Sequence, residues 1–117
     1  MRTWTSCVVM GIASCWGFAA AACETPKMPK IPEGKMSTQA QMVAGQDEVK
    51  TYMAAMNDYL ACVDDEASAK GQDAPADYKS LMVTRHNTAV TEMESVAVAF
   101  NDQVKAFKAA NPAPASK

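Results

Sequence analysis

The most constraining feature of the sequence is a row of apolar and small residues that recurs at steps of three and four from Met42 to Val63. This spacing places the row on one face of an α-helix and is typical of a coiled-coil seam. Its members are Met42, Gly45, Val49, Tyr52, Met56, Tyr59 and Val63, and Met53 and Leu60 widen it. The pattern predicts a helix over about residues 38–70.

The ends of this helix also carry signals. Thr38 and Gln41 have the spacing of a capping box, in which each side chain accepts a hydrogen bond from the other residue's free backbone amide. Gly71 follows Lys70, so a residue that tolerates a positive φ comes directly after a cation in the last turn. Both ends fit the span that the apolar row predicts.

A second apolar row predicts a helix over about residues 75–109. Its members are Tyr78, Leu81, Met82, Ala89, Met93, Val96, Phe100, Val104 and Phe107. Pro75 suits a first helical turn, and Asn111-Pro112 ends the pattern, so residues 111–117 are expected to form a flexible tail. Because the intervening loop is short, we expect an all-α, antiparallel two-helix hairpin over residues 37–110.

Helical spacing also predicts which residues of the hairpin face each other. A turn centred near Gln72 brings Gly45 opposite Phe100, a small residue against a large one. The same register brings Tyr52 opposite Met93. It further brings Tyr59 opposite His86, and we expect a structural hydrogen bond between those two side chains.

The N-terminal segment has the three parts of a secretory signal peptide. Arg2 gives a positive start, residues 7–19 form an uncharged apolar run, and Ala20 and Ala22 are the small residues of a cleavage site. The run is too short for a membrane span of roughly 20 residues. We therefore expect residues 1–22 to be a signal peptide and the mature chain to be periplasmic or secreted, without a membrane span.

Residues 23–36 are predicted to form an extended, proline-rich arm packed along the first helix, because Pro26, Pro29 and Pro32 favour polyproline II. Such an arm spans ~43 Å from Cys23 to Ser37, and the helix spans ~37 Å from Ser37 to Cys62. This match favours a Cys23–Cys62 disulfide. Lipidation of Cys23 remains the alternative, although Ala20 stands where a lipoprotein signal normally has a branched residue.

The mature sequence resembles a family of small exported bacterial helical proteins to which no activity is assigned. The resemblance lies in Cys23 with its proline arm, in residues 49–62 (VKTYMAAMNDYLAC), in residues 85–94 (RHNTAVTEME) and in residues 100–108 (FNDQVKAFK). It implies export and a helical hairpin, and it implies no mechanism.

His86 is the single histidine and the first candidate for chemistry. A catalytic base needs a nucleophile and an orienting partner, and no such set stands near it in sequence. We expect a non-enzymatic protein without a cofactor. The alternative is a copper site, since thioether ligands suit Cu(I), with Met82, His86, Met53 and Met56 as the candidate ligands.

The charges are mixed, with 11 Lys and Arg against 13 Asp and Glu and a net charge of −2. This balance gives no electrostatic footprint for nucleic acid. Val83, Val90, Ala97 and Val104 recur every seven residues on the second helix, as a further packing surface requires. We therefore predict an exported structural or interaction protein that binds a second copy or an envelope protein.

Overall fold

The computed structural model describes residues 23–112 as two long α-helices preceded by an extended segment. Helix α1 comprises Gln39–Lys70 (32 residues), and helix α2 comprises Ala76–Ala110 (35 residues). The two helices pack against each other, and the described residues include no strand. The prediction of an all-α two-helix hairpin is confirmed. The predicted signal peptide and residues 113–117 lie outside the described residues.

Helix α1 begins at the predicted capping box. The Gln41 amide donates to Thr38 Oγ1 (3.2 Å), and the Thr38 amide donates to Gln41 Oε1 (2.8 Å). At the other end Gly71 adopts φ 76°, a conformation that disfavours side chains, and its amide donates to the Ser68 carbonyl. Both ends of α1 are therefore fixed by residues that the sequence singles out.

Helix α2 begins after a tight loop with Pro75 as its N-cap residue. The Pro75 carbonyl accepts the first helical hydrogen bond, from the Lys79 amide at 3.1 Å. Asp77 lies in the first turn, where a negative side chain is favourable to the helix dipole. The side chain of Lys79 donates to the Gln72 carbonyl at 2.6 Å and so ties the loop to α2.

The core lies between the helices and follows the α1 row closely. All seven members of that row are buried, and Met56 is fully inaccessible. On α2 three residues are buried, namely Met82, Ala89 and Val96. Leu81 is 48% exposed, so its assignment to the core row is wrong. Its neighbour Met82 is buried, and adjacent helical residues point about 100° apart, so Leu81 points away from the core.

The extended arm runs antiparallel to α1 from Cys23 to Pro32. The Lys30 amide donates to Glu48 Oε2 at 3.2 Å, and Cys23 is joined to Cys62 with a Cα–Cα distance of 5.8 Å. Ile31 packs against the core, as expected of an apolar arm residue. Met28 does not, since it is 59% exposed.

A turn at Gly34–Met36 ends the arm and contacts α2 as well as α1. The Gly34 amide donates to Gln103 Oε1 at 2.9 Å, and a Cβ at Gly34 would overlap the Gln103 carbonyl oxygen and lie 2.8 Å from the Phe107 nitrogen. Glycine is therefore required by the close approach of two backbones. The arm packs along α1, as predicted, and its end fastens the two helices together.

Candidate functional site

The hairpin has two long sides, and the arm covers one of them. Pro32 lies over Gly45, so that a Cβ at Gly45 would come within 2.6 Å of the proline ring. Nearer the loop, Thr25 lines a small cavity with Tyr59, Arg85 and other α2 residues. The disulfide to Cys62 closes this side. The arm thus lies in the groove that a bare two-helix hairpin would leave open.

Between Cys23 and the loop, the same side carries a polar cluster that sequence reasoning missed. Arg85 Nη1 lies 3.3 Å from Glu66 Oε2, and the Tyr78 hydroxyl donates to the Glu66 carbonyl at 3.2 Å. Lys70 Nζ stands 5.4 Å from the centre of the Tyr78 ring. These contacts join the last turn of α1 to the first turns of α2.

The opposite side of the hairpin has no cover among residues 23–112. We call it the open face, and it consists of Met53, Leu60, Val83, Val90, Ala97 and Val104. Met53 and Leu60 occupy the flank of α1 that lies away from the arm contacts at Glu48 and Cys62. Most members of the open face are half-buried, and Val83 is 60% exposed. The face is therefore a strip to which both helices contribute apolar side chains.

At its loop end the open face deepens into a groove of about 730 Å³. Val63, Ala67, Met82 and Val83 supply apolar lining. Polar groups border it, since His86 Nδ1 lies 4.0 Å from Asp64 Oδ1 across the groove and both side chains are substantially exposed. Apolar walls with a polar rim suit the binding of an apolar side chain from another molecule.

The expected hydrogen bond between Tyr59 and His86 is not formed among the described residues. Tyr59 lines the arm-side cavity with Arg85 and Ala89, whereas His86 lines the open groove with Asp64. The register prediction gives the level of each residue along the hairpin. It does not give the side, and these two residues lie on opposite sides.

The four candidate copper ligands are divided between the core and the open groove. Met82 and His86 line the groove together, one helical turn apart. Met56 is fully buried in the core and Met53 is partly buried, and neither lines that groove. Residues 23–112 also include no group of three His, Cys, Asp or Glu side chains arranged to hold a metal.

Tyr52 is the most unusual polar side chain of the interior. Its hydroxyl is buried and has no hydrogen-bond partner within the described protein. Burial raises the pKa of Tyr52 above its ordinary value, and the nearby carboxylate of Glu92 raises that pKa further. The influence of Glu92 also supports the predicted register, which brings Tyr52 opposite Met93.

Gln103 is the second site residue that sequence reasoning did not find. It follows Met82, Ala89 and Val96 at the next step of seven, so it is a polar residue on the buried row of α2. A polar residue on such a row needs a partner, and the partner is Gly34, which lies far away in sequence. The polar residue at the next position of this apolar row was the one sign in the sequence that a partner was needed.

Comparison with known proteins finds no similar protein. No family model, no curated protein and no solved structure matches the chain. The resemblance to small exported bacterial proteins therefore stays a prediction. Neither of the two helices in residues 23–112 has an apolar stretch sufficient to cross a membrane.

Proposed function

We propose that this chain is an exported, non-enzymatic interaction protein of the bacterial envelope, akin to the small exported helical proteins that its motifs resemble. In this proposal residues 1–22 direct export to the periplasm, and the open face binds a helical segment of another protein by coiled-coil-like packing. The observation that carries the proposal is the asymmetry of the hairpin. The arm covers one side, and the other side exposes an apolar strip of two helices.

Two further observations support the proposal. A disulfide persists in oxidising compartments, so the Cys23–Cys62 bond agrees with export. The open face also offers side chains at steps of seven on α2, from Val83 to Val104, which is the spacing that a partner helix requires.

Site-specific photocrosslinking in cells that naturally make the protein tests the proposal. A photoreactive residue replacing Val90 reports on the open face. The same residue replacing Val98 is the matched control, because Val98 is 60% exposed on the outer surface of α2. We expect protein adducts from position 90 and none from position 98. Equal labelling at both positions, or none at either, contradicts the proposal.

A second candidate function is the binding of Cu(I) by Met82 and His86. The observation in its favour is that these two side chains line one groove, one helical turn apart. Titration of the purified protein with Cu(I) tests it, with the Met82→Ala/His86→Ala variant as the comparison. Stoichiometric binding that disappears in the variant supports this function, and equal binding by both proteins excludes this site.

A further inference from the structure

The open face has a polar edge on each helix. On α1, Asp64 borders the groove, and steps of seven place Asn57 and Lys50 along the same edge. On α2, Asn87 borders the groove, and one step of seven leads to Glu94. All five residues are exposed.

Lys50 and Glu94 lie at the same level of the hairpin on opposite edges. The level follows from the packing across the core, since a Cβ at Gly45 would lie 3.5 Å from the Phe100 ring and Tyr59 lines one cavity with Ala89 and Glu92. Lys50 lies between Gly45 and Tyr59, and Glu94 lies between Glu92 and Phe100. One face therefore carries a cation on its α1 edge and an anion directly across from it.

From this placement we infer that the occupant of the open face is a second copy of the chain. Two hairpins stack face to face as a four-helix bundle, and α1 of each copy lies on α2 of the other. The inference rests on the proposed function, in that the open face binds protein, and it names the partner.

Charge complementarity selects this arrangement of the two copies. A two-fold axis parallel to the helices brings the α1 edge of one copy against the α2 edge of the other without a shift along the helices. Lys50 of each copy therefore meets the partner's Glu94, and two such pairs form. The same operation brings Asn57 against the partner's Asn87. A two-fold axis across the helices, centred on the row from Val83 to Val104, would oppose Lys50 to Lys50 and Glu94 to Glu94. Like charges disfavour that second arrangement.

The size of the face is sufficient for a dimer. The row from Val83 to Val104 is ~32 Å long, and a strip of that length and two helices wide, ~20 Å, covers roughly 640 Å² on each copy. Two copies together bury roughly 1,300 Å², within the range of about 1,200–2,000 Å² for stable interfaces. The centre of the strip is apolar and half-buried in the single chain, at Met53, Leu60, Val90 and Ala97. A second copy would complete the burial of these side chains.

A charge-swap cycle measured by sedimentation equilibrium on the purified, disulfide-bonded protein tests the inference. We expect Lys50→Glu and Glu94→Lys each to weaken dimerisation by about tenfold, since each reversal turns two attractive pairs into repulsive ones. The double variant should recover to within about threefold of the original affinity. Asp102→Lys, a charge reversal on the outer surface of α2 beside Val98, is the matched control and should leave the affinity unchanged.

The outcomes separate this inference from the proposed function. A protein that stays monomeric at every concentration overturns the inference, and so does a dimer that neither single reversal weakens. If photocrosslinking from position 90 then captures a different protein, the open face still binds protein and only the identity of the partner is wrong. Crosslinked adducts with twice the mass of the chain, together with recovered dimer affinity in the double variant, support both the inference and the proposed function.

Discussion

At the scale of single residues, two tyrosines of this hairpin have opposite hydrogen-bond environments. The Tyr52 hydroxyl is buried without a partner in the described protein, whereas the Tyr78 hydroxyl donates to the Glu66 carbonyl. An unsatisfied buried hydroxyl carries a desolvation cost without a compensating bond. Tyr52 therefore contributes through its ring, which is packed in the core.

This contrast gives the first prediction. Tyr52→Phe should leave the free energy of unfolding unchanged or raise it by up to ~1 kcal/mol, because the substitution removes only an unpaired hydroxyl. Tyr78→Phe is the matched control and should lower that free energy by ~1 kcal/mol, the usual net worth of one hydrogen bond. Urea denaturation followed by circular dichroism measures both. A loss for Tyr52→Phe as large as that for Tyr78→Phe would show that the Tyr52 hydroxyl has a partner.

At the scale of elements, the arm has attachments to both helices. The disulfide and the Lys30–Glu48 contact tie it to α1, and the turn at Gly34 ties it to α2. The attachment to α2 combines close backbone packing at Gly34 with a hydrogen bond to Gln103. Substitution of each residue separates these two contributions.

The second prediction concerns this turn. Gly34→Ala should lower the free energy of unfolding by about 2 kcal/mol or more, because the new Cβ meets backbone atoms that cannot rotate away. Gln103→Ala removes the hydrogen bond alone and should cost about 1 kcal/mol. Thermal or urea unfolding of the two variants gives the comparison. Equal losses would mean that the hydrogen bond, and not the close packing, holds the turn.

The sequence predicts the two helices better than it predicts which side of the hairpin each residue faces. The seven-member row of α1 is buried as expected because steps of three and four depend only on helix geometry. The positions of Tyr59 and His86 depend in addition on which flank the arm occupies, and helical spacing alone does not specify that flank. The Gly34–Gln103 contact is harder still, since it joins residues at opposite ends of the fold. The exposure of Leu81 follows from the burial of its neighbour Met82, because adjacent helical residues point about 100° apart.

At the scale of the whole molecule, the disulfide links the arm to a hairpin whose core is only two helices thick. Cys23 and Cys62 are separated by 39 residues. In the chain-entropy model a bond that closes a loop of this length stabilises the folded state by about 3–4 kcal/mol. That is a large share of what a small domain with one thin core achieves.

The third prediction follows from this share. The variant Cys23→Ser/Cys62→Ser should lose about 3–4 kcal/mol of unfolding free energy in urea. The original protein should show the same loss after addition of dithiothreitol, while the double variant should not respond to it. Reductant that leaves the unfolding curve of the original protein in place would contradict a disulfide role in stability.

The Cys23–Cys62 bond also turns the arm and most of α1 into a closed covalent ring. A protease that cuts the chain once anywhere inside this ring opens a loop but releases no fragment. The pieces stay joined through sulfur, and the helices keep their neighbours until a reductant arrives. The arm and most of α1 are thereby protected against the loss of a fragment through a single nick in an exposed segment.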